Sequence, residues 1–112
     1  VLIAPSASPA TFLRWFAGSF GLSENVPESM RKAIEARESV PIAEFEPEWL
    51  GPRITQSVLV IHDRQDRVAA VAAGERVVHW LRNGRMLPTK GLGHRRVLDD
   101  LIVAQEVVAH LA

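Results

Sequence analysis

Two residues in the second half of the chain, Asp66 and His94, have the types and spacing of a catalytic acid and base. Asp66 follows an apolar run, and His94 lies in a turn flanked by Gly91 and Gly93. A carboxylate that accepts the Nδ1 proton of an imidazole fixes the tautomer of the ring and leaves Nε2 free to take a proton from a nucleophile. The pair therefore predicts Ser-His-Asp chemistry, in which a serine hydroxyl attacks an acyl group.

The serine of such a site is missing from the pattern. No Gly-x-Ser-x-Gly elbow, the turn that exposes the serine in many hydrolases, occurs in the 112 residues. Ser6 and Ser8 follow the first apolar run, but neither lies in a glycine-flanked elbow, and Ser8 is better placed to cap a helix. Because the chain begins without methionine and directly in a strand-like run, we expect a fragment or a processed piece.

Three short runs predict the strands that would position the acid and the base. Residues 1–4 and 58–61 are wholly apolar, which is typical of strands buried on both faces, and residues 85–88 form a weaker third strand. Helical segments separate these runs, so we predict an α/β fold with a parallel sheet of about three strands and flanking helices. Since the carboxyl ends of parallel strands lie at one edge of a sheet, we expect Asp66 and His94 to meet there.

An aromatic stripe marks the first predicted helix, which starts after Ser8 and Pro9 and ends near Gly21. Its aromatic residues share one face by their spacing of three and four, and they are Phe12, Trp15, Phe16 and Phe20. We expect this face to pack into the core; the alternative is a lid over an apolar substrate pocket.

The remaining helices carry fewer aromatic residues. A peripheral helix capped by Ser23 or Asn25 precedes a connector over residues 39–57, in which prolines prevent a long element. Two further helices are predicted over residues 71–81 and 97–111. We expect the last helix to bury its apolar residues, namely Val97, Leu98, Leu101, Ile102, Val108 and Leu111.

Composition limits the classes of function. Thirteen Lys and Arg balance thirteen Asp and Glu, so no long-range field would attract nucleic acid or an anionic membrane. The lack of cysteine in the sequence excludes disulfides and thiolate metal sites and fits a reducing compartment. No apolar run approaches the roughly 20 residues that span a bilayer. We therefore predict a cytoplasmic protein with neither nucleic acid nor membrane as a partner.

Other polar residues in the same half of the chain have simpler interpretations. We expect His62 to pack at the end of its strand or to bond to the backbone, and His79 and His110 to lie on helix surfaces. A metal site formed by His62, Asp66 and His94 lacks a supporting ligand spacing. No metal or other cofactor is therefore predicted.

Two arginines follow the predicted base directly. Arg95 and Arg96 have the charge to bind an anionic substrate, whereas pairing with Asp99 and Asp100 is the simpler interpretation.

Two motifs carry a resemblance to a known family. The stretch Val-Leu-Val-Ile-His-Asp-Arg-Gln-Asp-Arg-Val (58–68), followed by the Gly-Leu-Gly-His sequence that ends at His94, resembles the C-terminal part of the α/β-hydrolase family. Asp63 stands where that family frequently has glycine, and the turn resembles a bacterial subset that reads Ile-His-Asp-Arg-x-Asp. The match is strong over residues 58–112 and only architectural over residues 1–57.

The resemblance implies a serine-hydrolase triad in the chain order serine, acid, histidine. Asp66 would be the acid, in preference to Asp63, and His94 would be the base. The serine and the oxyanion-hole amides would lie upstream of Val1, so the chain would hold only the last strands of the family's sheet. It would act on an ester or similar acyl substrate and be inactive alone.

The same resemblance implies a domain organisation. Residues 1–112 would form a single domain, in which residues 6–57 are a cap-like helical insertion. Residues 58–112 would be the strand-helix-strand-helix segment that carries the acid and the base.

A second hypothesis is a non-catalytic binding or self-associating module. If the sheet has only three strands, residues 1–4 form an exposed edge, which natural proteins usually pair or cover. A homodimer through this edge is then expected.

Overall fold

The chain folds around a three-stranded parallel sheet. The computed structural model describes residues 1–6 and 8–112, and Ala7 lies outside the described residues. The strands, in chain order, are β1 (Leu2–Ile3), β2 (Val58–Asp63) and β3 (Gly84–Thr89). The sheet order is β1-β2-β3, and both pairings are parallel, so β2 is the central strand. The predicted α/β class and parallel sheet of three strands are confirmed.

Helices surround the sheet and form most of its connections. Those described are α1 (Pro9–Ser19), α2 (Val26–Glu38), α3 (Pro47–Leu50), α4 (Val71–Trp80), α5 (Gly93–Arg96) and α6 (Leu101–Leu111). Single 3-10 turns at Ile42–Phe45 and Gly51–Arg53 flank α3. Across residues 1–6 and 8–112, no helix has both the length and the apolar character needed to cross a membrane.

Local capping fixes where the main helices begin. The Ser8 hydroxyl accepts a hydrogen bond from the Thr11 N–H at 3.1 Å, which confirms the predicted cap of α1. Asn25 precedes α2, but its side chain makes no capping hydrogen bond. The Asp100 carboxylate accepts from the N–H groups of Ile102 and Val103, both at 3.0 Å, and therefore starts α6.

The core lies against the central strand. Three consecutive β2 residues, Leu59, Val60 and Ile61, are fully buried, as expected for a strand covered on both faces. Val97 and Val103 pack in the same cluster as Leu59 and Ile61. The apolar run in the sequence therefore forms the centre of the molecule.

The prediction for the last helix was wrong in its start and in its buried face. Asp100 interrupts the predicted helix over residues 97–111, so that Val97 lies in the turn before α6 and is buried, whereas α6 buries Val103. The other predicted core residues are 65–71% exposed, and they are Leu98, Leu101, Ile102, Val108 and Leu111. Because apolar residues occur around most of α6, its sequence periodicity cannot select the buried face.

The aromatic stripe of α1 also differs from the predicted core position. Trp15 and Phe20 are 60% and 65% exposed, and the buried residues of α1 are Leu13 and Ala17. The rings contact one another along the helix instead, with 4.8 Å between the ring centroids of Phe16 and Phe20. The radius of gyration, 15.7 Å, exceeds the roughly 13 Å of a compact domain of this length. A large apolar surface is therefore uncovered.

A pair of leucine substitutions tests the assignment of the core. Leu59→Ala should lower the free energy of unfolding by about 2–5 kcal/mol, because it opens a cavity beside the central strand. Leu98→Ala removes the same atoms from an exposed side chain and should change the free energy of unfolding by less than about 0.5 kcal/mol. Urea denaturation of the two variants measures both values, and equal losses would contradict the observed position of Leu98.

Candidate active site

The predicted acid lies in a tight turn just after the central strand. Asp66 follows the last residue of β2 by three positions, and its Oδ1 accepts hydrogen bonds from the N–H groups of Val68 at 2.8 Å and Ala69 at 2.9 Å. These bonds fix the carboxylate plane. The second oxygen, Oδ2, is left to face the loop that follows β3.

The predicted base occupies that loop. His94 lies in the first turn of α5, and its Nδ1 is 2.8 Å from Oδ2 of Asp66. Gly91 and Gly93 have φ values of 87° and 69°, a region that glycine adopts without a steric penalty, and they allow the tight turn. The predicted contact between Asp66 and His94 is present, although their catalytic role stays a prediction.

The hydrogen bond determines the tautomer of His94. An ionised carboxylate only accepts, so Nδ1 carries the proton, and in the neutral imidazole Nε2 keeps its lone pair. The His94 side chain is 36% exposed, whereas that of Asp66 is 0% exposed. The pair therefore combines a buried carboxylate with a partly exposed imidazole, an arrangement that is compatible with a general base.

Hydrogen bonds keep Asp66 ionised despite its burial. Burial opposes the charged form, but the N–H of Ala69, the imidazole of His94 and the N–H of Val68 together hold the pKa of Asp66 below its usual value. The carboxylate is consequently charged at neutral pH and can stabilise an imidazolium.

A second aspartate, Asp63, joins the two loops of the site. Its Oδ1 accepts from the N–H of Gln65 at 2.9 Å and so caps the turn. Its Oδ2 accepts from the Thr89 hydroxyl at 2.8 Å and from the N–H of Leu92 at 3.0 Å. Asp63 thereby ties the end of β2 to the segment that carries His94, a role that its position in the sequence did not reveal.

Asp63 is fully buried and yet strongly acidic. Burial opposes its charge, but the hydrogen bonds from Leu92, Thr89 and Gln65 more than compensate and hold the pKa of Asp63 well below its usual range.

His62 lies behind the acid. Its side chain is fully buried; Nε2 donates to the backbone oxygen of Ala69 at 2.8 Å and lies 3.5 Å from Oδ2 of Asp66. The predicted backbone bond is confirmed. Nδ1 has no hydrogen-bond partner in the described part of the chain and faces Gly74, where an added Cβ would come within 2.6 Å of it. Gly74 is therefore required for α4 to approach this ring.

An apolar groove of about 710 Å³ opens beside His94. Aromatic and aliphatic side chains line it, among them Phe12 and Trp15 of α1 and Val68 of the acid turn. Two of the exposed aromatic residues of α1 thus form a wall of this groove. His94 also lines the groove.

The two serines near the groove are not arranged as nucleophiles. Ser6 and Ser8 both line it, but the Ser8 hydroxyl donates to Oε1 of Glu46 at 3.0 Å and caps α1. The hydrogen bonds of the described residues include none between Ser6 and His94.

The remaining predicted polar residues have other contacts. His79 is exposed on α4, and Nε2 of His110 lies 3.2 Å from the backbone oxygen of Ser57. Within residues 1–6 and 8–112 there is no group of three or more residues arranged to hold a metal ion.

The expected pairing of the two arginines after His94 was wrong. Arg96 instead donates to the backbone oxygens of Gly91 at 2.6 Å and Leu92 at 3.2 Å, and Asp100 caps α6. Their charges are thus not neutralised in the predicted way.

No family model, curated protein or solved structure shows a significant match to this chain.

The hydrogen bonds of Asp63 predict a specific loss of stability. Asp63→Asn should lower the free energy of unfolding at pH 7 by about 1.5–3 kcal/mol. The reason is that Asp63 accepts hydrogen bonds through both of its oxygens, whereas one of the two terminal groups of asparagine is an NH₂ donor. Since the folded pKa lies below the unfolded value of about 3.9, the stabilisation is present above that pH and is lost as the pH falls further. Urea denaturation between pH 3 and 7 should show a steeper acid loss in the unsubstituted protein than in the variant.

Asp99→Asn is the matched control for this measurement, because Asp99 is exposed in the turn before α6. It should leave both the stability at pH 7 and its pH dependence nearly unchanged. Identical profiles for the two variants would refute the role of Asp63.

Proposed function

We propose that Asp66 and His94 are the acid and base of a serine-type hydrolase that cleaves esters or similar acyl compounds, and that the chain is the C-terminal portion of an α/β-hydrolase fold. The observation that carries this proposal is the 2.8 Å contact between His94 Nδ1 and Asp66 Oδ2, with the carboxylate buried and the ring exposed beside an apolar groove. The order acid then histidine, each after its own parallel strand, also supports it.

In the proposed reaction His94 moves a proton in both directions. Nε2 takes the proton of a serine hydroxyl as its oxygen attacks the acyl carbon, and Asp66 stabilises the imidazolium that forms. His94 then gives the proton to the leaving alcohol oxygen, which leaves an acyl-serine. A water molecule repeats the sequence, releasing the acid and restoring the serine. No cofactor takes part.

The serine is proposed to come from polypeptide outside these 112 residues. Two apolar surfaces support this assignment, because the aromatic face of α1 and the outer face of α6 are exposed to an extent that an isolated domain rarely tolerates. The outer edge of β1 is also unpaired among the described strands, and it can accept a further strand.

The groove beside His94 suggests the substrate. Its wall of Phe12, Trp15 and Val68 is apolar, so it favours an acyl or alcohol group without charge. The helices between β1 and β2 would act as the cap over this group, as proposed for residues 6–57.

Substitution of His94 in the complete gene product tests the function. His94→Ala should lower kcat for p-nitrophenyl butyrate by about 10³-fold or more, because the general base is lost, with little change in folding. His79→Ala removes an exposed histidine of α4 and should leave the rate unchanged. A rate that His94→Ala does not alter would eliminate the hydrolase proposal.

A fluorophosphonate locates the nucleophile. The 112-residue chain should show no mass adduct, whereas the complete gene product should take one that His94→Ala suppresses. An adduct on the short chain would instead identify Ser6 or Ser8 as the nucleophile.

A second candidate function is a non-catalytic, self-associating module. The observation that favours it is the open edge of β1, where Val1 and Leu2 are exposed beside an unpaired backbone. Pairing of two copies along this edge would cover the exposed side chains and the unpaired backbone of each copy.

Sedimentation of the 112-residue chain tests this association. We expect a dimer or larger species at micromolar concentration, and Leu2→Lys should shift it toward monomer because a charge blocks the edge. Leu22→Lys, which adds a lysine after α1 and away from the strand edge, is the control and should leave the association state unchanged. A monomer that binds no hydrophobic dye would contradict the prediction.

A further inference from the structure

Cations without carboxylate partners gather at the carboxyl edge of the sheet. The loop after β2 and the segment after β3 contain five of them: Arg64, Arg67, Lys90, Arg95 and Arg96. In the part of the chain that the structure describes, none of the five takes part in an ion pair, and the pairs that do form use other cations. In a protein whose formal net charge is zero, this is a local excess of positive charge.

Three of these arginines line one cavity. Arg64, Arg67 and Arg96 surround a space of about 530 Å³ between the two loops. Asp66 is the acidic residue of the cavity lining, but its side chain is 0% exposed and its oxygens accept from its own turn and from His94. The accessible charge of this cavity is therefore positive.

One of the three guanidinium groups is held in place. Arg96 donates through Nε to Leu92 and through Nη2 to Gly91, so two of its five N–H groups are used and three are available. A tethered guanidinium loses less conformational entropy when it binds a ligand than a free side chain does.

The two glycines that flank His94 border open space in this cavity. A Cβ added at Gly93 would meet no atom within 4 Å, and one at Gly91 would meet only Oε1 of Gln65 at 3.8 Å. Both glycines line the cavity, so a ligand can approach the loop backbone.

We propose that this cavity binds the phosphate or carboxylate group of a small molecule. Guanidinium groups match both anions because their N–H donors pair with two oxygens at once. The site is separate from the groove that His94 lines, so binding there does not depend on hydrolysis. A compact cluster of three arginines fits one small anion, whereas a nucleic-acid backbone requires an extended basic surface.

Titration of the 112-residue chain with inorganic phosphate, followed by ¹H–¹⁵N NMR at constant ionic strength, tests the site. Saturable shifts should centre on Gly91, Gly93 and the loop after β2. The double variant R64Q/R67Q should weaken binding by about tenfold or more, because two charged donors are lost. R82Q, an exposed arginine after α4 that does not line the cavity, should leave the affinity unchanged.

Two further comparisons complete the test. Succinate in place of phosphate distinguishes a carboxylate site from a phosphate site, and saturable, arginine-dependent binding of either supports the proposal. His79→Ala, a substitution of an exposed residue of α4 that does not line the cavity, should bind the anion as tightly as the unsubstituted chain. Absence of saturation with both anions, or equal weakening by R82Q and R64Q/R67Q, would overturn it.

Discussion

The buried carboxylate of Asp63 is the constraint on which the site depends. It ends the central strand and accepts hydrogen bonds from its own turn, from the last residue of β3 and from the segment after β3, so one side chain joins the two loops. A charge at this depth is tolerated because three donors surround it. The distance between Asp66 and His94 is thus set by a neighbouring acid, since each of the two lies in a loop that Asp63 holds.

The two imidazoles near Asp66 differ in their burial and in the contacts that they make. His62 is enclosed beneath α4 and donates to the backbone of the acid turn, which restricts the position of Asp66 from behind. His94 approaches the same carboxylate from the other loop and is partly exposed beside the apolar groove. Of the two rings, His94 is the one that a bound molecule can reach, and this difference supports its proposed role as the base.

The shape of the molecule follows from having one strand with neighbours on both sides. Among the described strands, β2 alone is paired on both sides and largely buried, so the apolar faces of α1 and α6 find too little surface to cover them. The radius of gyration, which is larger than that of a compact domain of this length, has the same cause. In the proposed hydrolase, other polypeptide covers this surface, whereas in the self-associating module a second copy of the chain covers it.

Local patterns in the sequence were enough to predict several features of the fold and of the site. Continuous apolar runs predicted the strands, Ser8 predicted the start of α1, and the edge rule for parallel sheets predicted that Asp66 and His94 would meet. Tertiary structure alone decided which faces of α1 and α6 are buried, because burial depends on neighbours that periodicity does not specify. It also decided the role of Asp63, since two of its donors, Thr89 and Leu92, lie 26 and 29 residues away in the chain.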